Sequence, residues 1–391
     1  MNFNLSKRLA GLMLAAAMVG GPLAGPALAQ DAPAPVAAPA EAAAPTDAAP
    51  VAEAPAPEAA AAVEAPAAEA PTQTVDKGDT AWMLVSAVLV MMMIVPGLAL
   101  FYGGLVRQKN MLSMLMQVTT VAVIGMVAWV LYGYSLAFSD GGGLDKFVGG
   151  AGRLFLKDVT PASNVVTFST FVGIPELAFI GFQMTFAAIT AALVLGGVAE
   201  RMKFAAVVMF AVLWPLLSYY PMAHMVWWWA GPDTVALAPT DPIQSGFIWG
   251  LGALILGLIV SPICVIFCSV VKNALKYDDS LDAFGIHAVG GIVGAIGTGL
   301  LVNPDWGGAG VVDYTTCAAD GDISTCDSAT YVLGVQVMAQ VKAVLVTIVW
   351  SGIASAITFL LIKFTVGIRV TADTEEEGLD IVEHGERAYH S

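Results

Sequence analysis

The fold class is clearest in the stretch Asp282-Ala-Phe-Gly-Ile-His287-Ala-Val-Gly-Gly-Ile292, which lies inside an apolar run of membrane length. An ionisable side chain at that depth is energetically unfavourable and is by default a functional candidate, usually with a partner. The other three histidines do not supply that partner, because His384 and His390 lie in a polar tail and His224 precedes a tryptophan cluster. The sequence therefore offers no second histidine as a partner for His287.

The composition is that of a membrane protein, with 58% hydrophobic and 12% charged residues and a mean hydropathy of +0.77. Several apolar runs exceed the roughly 20 residues that a helix needs to cross a bilayer. We predict an all-α polytopic membrane protein with about seven transmembrane helices. They span approximately 79–104, 113–137, 172–198, 204–226, 246–271, 283–302 and 332–366. The last is about 50 Å long at 1.5 Å per residue, which exceeds a bilayer core unless the helix tilts or projects.

The N-terminal region has two parts that we do not expect to join the membrane domain. Residues 1–30 have a basic start, an apolar run and a small-residue cleavage site at Pro26-Ala-Leu-Ala29, which predicts a secretory signal peptide. A retained N-terminal helix is the alternative. Residues 31–74 are almost wholly Ala, Pro and Glu, a composition that cannot bury apolar surface and predicts a disordered tether.

Basic residues cluster after alternate spans, so the positive-inside rule gives an orientation. They follow the first, third, fifth and seventh spans: Arg107, Lys109, Arg201, Lys203, Lys272, Lys276, Lys363 and Arg369. The opposite loops are acidic or rich in Gly and Pro, although loop 138–171 contains Lys146, Arg153 and Lys157. We predict an inner-membrane protein with a periplasmic N-terminus and a cytoplasmic C-terminus, in agreement with the signal peptide.

The four cysteines fall into two settings. Cys264 and Cys268 are i, i+4 within an apolar helix and are predicted to be small core residues. Cys317 and Cys326 share the polar loop Val302 to Ala329, and a disulfide could form there if that loop is periplasmic. We predict no metal site, because no histidine or further cysteine lies near them.

Polar and aromatic residues within the spans are the candidate site residues. Phe182 and Phe186 are i, i+4, so both rings project from one helical face that could meet a cation, although core or lipid packing would also explain them. The fourth span ends in Trp227-Trp228-Trp229 at a membrane boundary, where tryptophan is ordinary, above all for Trp228 and Trp229. Asp282 precedes a helix start, where a carboxylate favours the helix dipole. His287 could pass a proton between its two ring nitrogens.

Taken together, these segments resemble the ammonium transporter family (ammonium/methylammonium permeases, related to Rhesus glycoproteins). The resemblance covers roughly 75–237 and 244–391. Its motifs are Pro96-Gly-Leu-Ala-Leu-Phe101-Tyr102-Gly-Gly-Leu, Gln108-Lys-Asn110-Met-Leu-Ser113-Met, Tyr132-Gly-Tyr-Ser-Leu-Ala-Phe138, Phe182-Gln-Met-Thr-Phe186, Ala199-Glu200-Arg201-Met, Pro221-Met-Ala-His224-Met-Val-Trp227, Tyr277-Asp-Asp-Ser-Leu-Asp282-Ala-Phe-Gly-Ile-His287 and, in the tail, Glu375-Glu-Glu-Gly378-Leu-Asp380 and His384-Gly385-Glu386-Arg-Ala-Tyr389.

The resemblance implies an incomplete version of the family's eleven-helix inverted-repeat fold. Residues 75–230 are similar to family spans one to four, and residues 246–368 to spans nine to eleven, followed by the tail 369–391. The linker 231–245 then marks an internal deletion of spans five to eight. With them the chain would lack the first pore histidine, an aspartate of the conducting helix and a serine of the recruitment site.

The resemblance also implies a mechanism. Trp227 and Phe182 would recruit ammonium or methylammonium by cation–π attraction, and Phe186 would be a gate ring. An apolar lumen would favour deprotonated ammonia, with His287 as one member of a paired proton relay and Asp282 as a structural residue near the pore. The family implies a homotrimer for nitrogen uptake, with the tail contacting a PII-class signalling protein. No cofactor, bound metal, nucleic acid or enzymatic activity is expected.

Because the second relay histidine is missing, the sequence predicts an ammonium transporter that is impaired as it stands. A non-transporting ammonium sensor or regulatory subunit is the main alternative, although we expect no appended signalling domain after Ser391. A retinal protein with Lys342 as the Schiff-base lysine is disfavoured, because Lys342 lies early in its long span, near the outer side. A functionless product of an internal gene deletion is the remaining reading.

Overall fold

The computed structural model describes residues 74–166, 172–227, 247–306, 310–312 and 328–389. The predicted signal peptide 1–30, nearly all of the tether 31–74, the linker 231–245 and both Cys317 and Cys326 lie outside the described residues.

Seven helices of the described residues are long and apolar enough to cross a membrane, as predicted. They are α1 (Lys77–Leu105), α2 (Gln108–Phe138), α3 (Glu176–Val198), α4 (Phe204–Trp227), α5 (Ile255–Leu275, in a helix that begins at Phe247), α6 (Phe284–Leu301) and α7 (Leu333–Thr365). Two short helices follow in the tail, α8 (Ala372–Glu377) and α9 (Leu379–His384). The all-α polytopic fold class is therefore confirmed for these residues.

The boundaries differ from the prediction at the second and third spans. The helical segment α2 begins at Gln108 rather than at residue 113, because a 3₁₀ turn, Gln108–Asn110, leads into it. The third begins at Glu176 rather than at residue 172, because Val172–Pro175 is a strand, β3. Strand β3 pairs in parallel with β1 (Thr74–Val75) and antiparallel with β2 (Asn164–Val166). A second antiparallel pair joins β4 (Val311–Val312) to β5 (Ser328–Ala329).

Two ends of the helix bundle can be distinguished. We call the end that contacts helices α8 and α9 the tail end, and the opposite end, formed by the segment 139–163 and strands β1 to β3, the loop end. Five of the spanning helices contain a π-helical segment, a feature that often marks functional positions in helices. The segments are Met93–Leu98, Trp129–Gly133, Pro215–Tyr219, Phe267–Val271 and Phe284–Ala288.

The core lies where α2 packs on α1, α3 and α4, and small residues allow the helices to approach closely. A Cβ atom on Gly125 of α2 would lie 3.1 Å from the Cα atom of Ala188 of α3. Two buried aromatic residues donate their polar hydrogens across these contacts. The Trp129 indole donates to the Ile180 carbonyl at 3.2 Å and the Tyr102 hydroxyl to the Leu193 carbonyl at 3.0 Å. Close packing and interhelical hydrogen bonds are the main attractions between helices in lipid.

We expect Gly196→Ala to destabilise the fold by about 1–3 kcal/mol, the usual cost of overpacking a well-packed core. A Cβ atom at residue 196 would lie 2.7 Å from the ring of Tyr102, whose hydroxyl is held by Leu193, and 3.1 Å from the Cβ of Ala283. The matched control is Gly197→Ala, where the nearest atom is 3.9 Å away. Thermal unfolding midpoints in detergent measure the difference, and equal midpoints would contradict this reading of the α1–α3 contact.

Candidate functional site

The two phenylalanines predicted to face a cation lie against each other on α3. The ring centroids of Phe182 and Phe186 are 5.0 Å apart and their planes make an angle of 72°. Both side chains are half-buried. The hydroxyls of Thr185 and Thr190 donate to the carbonyls of Phe182 and Phe186, so these side chains are satisfied within the helix. The shared face of the two rings is therefore confirmed, while their part in substrate recruitment remains a prediction.

The end of α4 holds the other predicted recruiter beside a structural histidine. Trp227 is 41% exposed and is the last residue of α4. His224 is buried, with Nδ1 at 3.1 Å from the Ala137 carbonyl and Nε2 at 2.6 Å from the Asp145 carbonyl. Its ring therefore joins α4 to the end of α2 and to the segment that follows it, which is a structural role.

His287 lies in the π-helical segment at the start of α6, with an exposed side chain. Among the described residues it forms no hydrogen bond, and no hydrogen bond or ring contact joins it or Trp227 to the pair Phe182 and Phe186. The structure thus brings the two phenylalanines into ring contact with each other, and within the described residues it shows no such contact from them to His287 or Trp227.

An aspartate that the sequence interpretation did not single out fixes the start of α6. The Asp279 side chain is buried, and one carboxylate oxygen accepts the backbone N–H groups of Phe284 at 2.9 Å and Gly285 at 3.3 Å. Asp282, the predicted structural residue, instead adopts a left-handed backbone conformation with φ +59° and forms an ion pair with Lys272 at 2.6 Å. The acidic run before α6 does stabilise the helix start, through Asp279.

At the tail end, four residues that are distant in sequence form a network that we call the tail clamp: Asn110, Glu200, Leu379 and Asp380. The buried Asp380 carboxylate accepts the N–H groups of Leu112 at 3.1 Å and Ser113 at 2.7 Å, at the start of α2. The Leu379 N–H donates to Asn110 Oδ1 at 2.8 Å, and Asn110 Nδ2 donates to Glu200 Oε1 at 2.9 Å.

The electrostatics of the tail clamp depend on Glu200. Burial alone would raise the pKa of Glu200, but hydrogen bonds from the Arg107 backbone, the Asn110 amide and the Arg107 guanidinium, together with the guanidinium charge, outweigh it. The pKa of Glu200 therefore lies below its usual value, and the carboxylate stays ionised at neutral pH. Gly378 completes the clamp, because its φ of +112° and the 2.7 Å from a built Cβ to the Lys109 carbonyl oxygen leave room only for glycine.

The seven long apolar helices of the described residues define a multi-pass membrane protein. The sequence model described as the Ammonium Transporter Family matches residues 81–232 and 235–389. The chain belongs to the ammonium transporter family.

Relatives and solved structures agree with this assignment. An ammonium transporter of Aquifex aeolicus is 30% identical over 422 residues, covering 81% of this chain and 94% of the relative. One of Bacillus subtilis is 28% identical, covering 80% and 98%. In structure, the chain is similar to Saccharomyces cerevisiae Mep2 with a TM-score of 0.58, 21% identity and coverage of 76% and 88%. It is also similar to a protein titled Sensor Amt Protein, with a TM-score of 0.57, 16% identity and coverage of 78% and 98%.

Proposed function

We propose that this chain recognises ammonium through the aromatic pair of α3 and that its conduction pathway is impaired. The observation that carries the proposal is the exposed His287, which has no imidazole partner among the described residues, in a chain whose Phe182–Phe186 pair is preserved. Recognition and conduction are thus expected to respond differently to mutation.

Recognition is supported by the geometry of the two rings. A cation over an aromatic face gains about 0.5–2 kcal/mol or more as water is removed, and this attraction needs no fixed negative charge. Phe182 and Trp227 would attract the ion at the loop end, and Phe186 would be the ring through which it leaves water. Beyond that ring an apolar path favours neutral ammonia over the ion.

Impaired conduction is supported by the histidine count. Ammonia and its proton must cross separately in an apolar path, and a relay requires a second group that accepts the proton from the first. His287 would be one member of such a relay, held in place by Asp279 at the start of α6. Among the described residues, no neighbouring imidazole would accept that proton.

The matched regions support an internal deletion at the predicted linker. The family match is interrupted between residues 232 and 235, inside the segment 231–245. The alignment to the Aquifex aeolicus relative extends over 422 residues but takes in only 81% of a 391-residue chain, so a substantial part of that relative has no counterpart here.

We further propose that the tail end faces the cytoplasm, and that any homotrimer and any contact with a PII-class protein follow the family pattern.

The test is ammonium-evoked current in proteoliposomes of the purified chain, after it elutes as a discrete oligomer. We expect no saturable current above that of His287→Ala, because a single imidazole has no relay partner. His384→Ala, a histidine of the tail, is the matched control. A saturable current in the unmodified chain that is lost in His287→Ala and kept in His384→Ala would refute the impairment.

Recognition needs a separate readout. Ammonium chloride should raise the thermal midpoint of the chain relative to sodium chloride at equal ionic strength, because a ligand that binds only the folded state stabilises it. We expect this shift to disappear in Phe182→Leu and Phe186→Leu. If ammonium and sodium give equal midpoints in the unmodified chain, the proposed recognition fails.

A second candidate is a non-transporting ammonium sensor, and the tail clamp is the observation that favours it. Asp380 and Leu379 join the tail directly to the start of α2, so a change in the bundle could reach the tail. Ammonium-dependent protection of residues 379–384 from hydrogen exchange, without current, would select this candidate over the transporter.

A further inference from the structure

Helices α5 and α6 are packed much less closely than the core helix α4. No residue is buried in the most apolar stretch of α5 and 22% are buried in that of α6, whereas 56% are buried in that of α4. Helix α6 packs against α5 and α7. Gly297 faces α5, where a built Cβ would lie 2.6 Å from the Leu256 side chain, and Gly299 faces α7, where it would lie 2.8 Å from Gln340. Another side of α6 is open among the described residues.

Four residues on that open side form a stripe that we call the His287 face: His287, Gly291, Gly294 and Thr298. They are spaced by four, three and four positions, which is the spacing of residues that meet along the seam of two parallel helices. A Cβ built on Gly291 or Gly294 meets no described atom within 4 Å. The Thr298 hydroxyl donates to the Gly294 carbonyl at 3.0 Å and is satisfied within the helix. Beyond His287 the face therefore allows another helix to approach closely.

The glycines alone do not identify what covers this face, but His287 does. Its side chain is exposed within the spanning part of α6 and forms no hydrogen bond among the described residues. An ionisable side chain in a membrane span is unfavourable in lipid and almost always faces protein or pairs with another polar group. A neutral imidazole has one N–H donor and one acceptor nitrogen. The occupant must therefore bring a hydrogen-bonding group to the depth of His287.

We infer that the occupant is α6 of a second copy of this chain, with the two copies related by a two-fold axis along the bilayer normal. All copies of one chain insert in the same orientation, so the two His287 side chains lie at the same depth. One imidazole then donates to the other, and the two side chains complement each other. A lipid tail would cover the glycines but would leave the imidazole nitrogens without partners. A face that meets itself forms a closed dimer and does not extend into a chain of copies.

The inference rests on the proposed function in one respect, which is that His287 has no imidazole partner among the described residues. It concerns assembly and leaves the expected absence of current unchanged. The two imidazoles would meet between copies, and within the described residues no ring contact joins His287 to the Phe182–Phe186 pair. The contact is also independent of any homotrimer that follows the family pattern, because it uses only the His287 face.

Disulfide crosslinking in proteoliposomes of the full chain tests the contact. The four native cysteines are replaced by alanine, and one cysteine is introduced by Gly291→Cys, Gly290→Cys or Gly352→Cys. Gly290 is the control that faces α5, where a built Cβ lies 3.4 Å from Cys264, and Gly352 is the control on an open side of α7. We expect copper phenanthroline to give several times more crosslinked dimer in Gly291→Cys than in either control.

Equal crosslinking of Gly291→Cys and Gly352→Cys would indicate random collision and would overturn the inference. The experiment needs no ammonium, so this outcome would leave the current and recognition tests of the proposed function unaffected. Conversely, an ammonium-evoked current or a lack of ammonium recognition would not change the crosslinking result.

Energy transfer between two labelled copies in bilayers measures the dimer equilibrium and tests the role of His287. His287→Leu removes both nitrogens, so we expect the dissociation constant to rise about 3–18-fold, the equivalent of about 0.6–1.7 kcal/mol for an interhelical hydrogen bond in lipid. His287→Gln keeps a donor and an acceptor in one side chain and should restore most of the affinity. His384→Leu, in the tail, is the matched control. An unchanged dissociation constant in His287→Leu, or an equal loss in His287→Leu and His287→Gln, would contradict pairing of the two side chains.

Discussion

Asp380→Asn is expected to release the tail from the helix bundle and to raise hydrogen exchange of residues 379–384 by about 30–150-fold. The Asp380 carboxylate is fully buried and accepts two N–H groups at the start of α2, at 2.7 and 3.1 Å. Hydrogen bonds to a charged group contribute about 1.5–3 kcal/mol each. Asparagine has the same shape but presents an NH₂ group to one of the two donors and removes the charge, so about 2–3 kcal/mol is lost, which corresponds to that increase in the open population.

The control for this prediction is Asp373→Asn in the same tail. Asp373 lies in α8, is exposed, and forms no hydrogen bond or ion pair among the described residues. Both variants remove one negative charge from the tail, so a general charge effect would change both equally. Exchange of residues 379–384 in the intact chain is measured by mass spectrometry. Similar exchange rates in the two variants would mean that the carboxylate of Asp380 does not hold the tail.

The helices could be predicted because a membrane places a simple requirement on each span. About 20 apolar residues must be continuous, and such runs are visible in the sequence without knowledge of their neighbours. The third span shows the limit of this hydrophobicity signal, because its helix begins at Glu176 rather than at the predicted residue 172. Val172 to Pro175 is as apolar as the helix that follows it, yet the segment is a strand, because it pairs with residues 74–75 and 164–166. Strand β3 and the helix that follows it have similarly apolar sequences, and only the pairing of β3 with segments distant in sequence distinguishes them.

The sequence predicted which residues are candidate site residues better than it predicted what surrounds them in the structure. The i, i+4 spacing of Phe182 and Phe186 requires a shared face, and the structure has the rings in contact. The exposure of His287 depends on which helices cover α6, and no local pattern encodes that. The tail clamp joins Asp380 to Ser113 across 267 positions. The tail motif could be recognised, but its hydrogen-bond partners could not.

Asp279→Ala is expected to destabilise the fold by about 3 kcal/mol, the second of the two large effects. Its buried carboxylate accepts the N–H groups of Phe284 and Gly285, which would otherwise lack a partner at the start of α6. The negative charge also interacts favourably with the positive end of the helix dipole. Asp279→Asn keeps one acceptor oxygen, so an intermediate effect is expected. The thermal midpoint in detergent and the exchange of residues 284–288 measure the loss.

The adjacent residue provides the control, because Asp278 and Asp279 have the same chemistry and opposite environments. Asp278 is 63% exposed and forms an ion pair with Arg201, a surface contact of a kind that contributes about 0–1 kcal/mol. Asp278→Ala should therefore leave the midpoint almost unchanged. If the two alanine variants are equally destabilised, the carboxylate of Asp279 does not cap α6. If only Asp279→Ala loosens residues 284–288, then the position of His287, three residues beyond the first capped N–H, depends on a carboxylate outside the membrane-spanning helices.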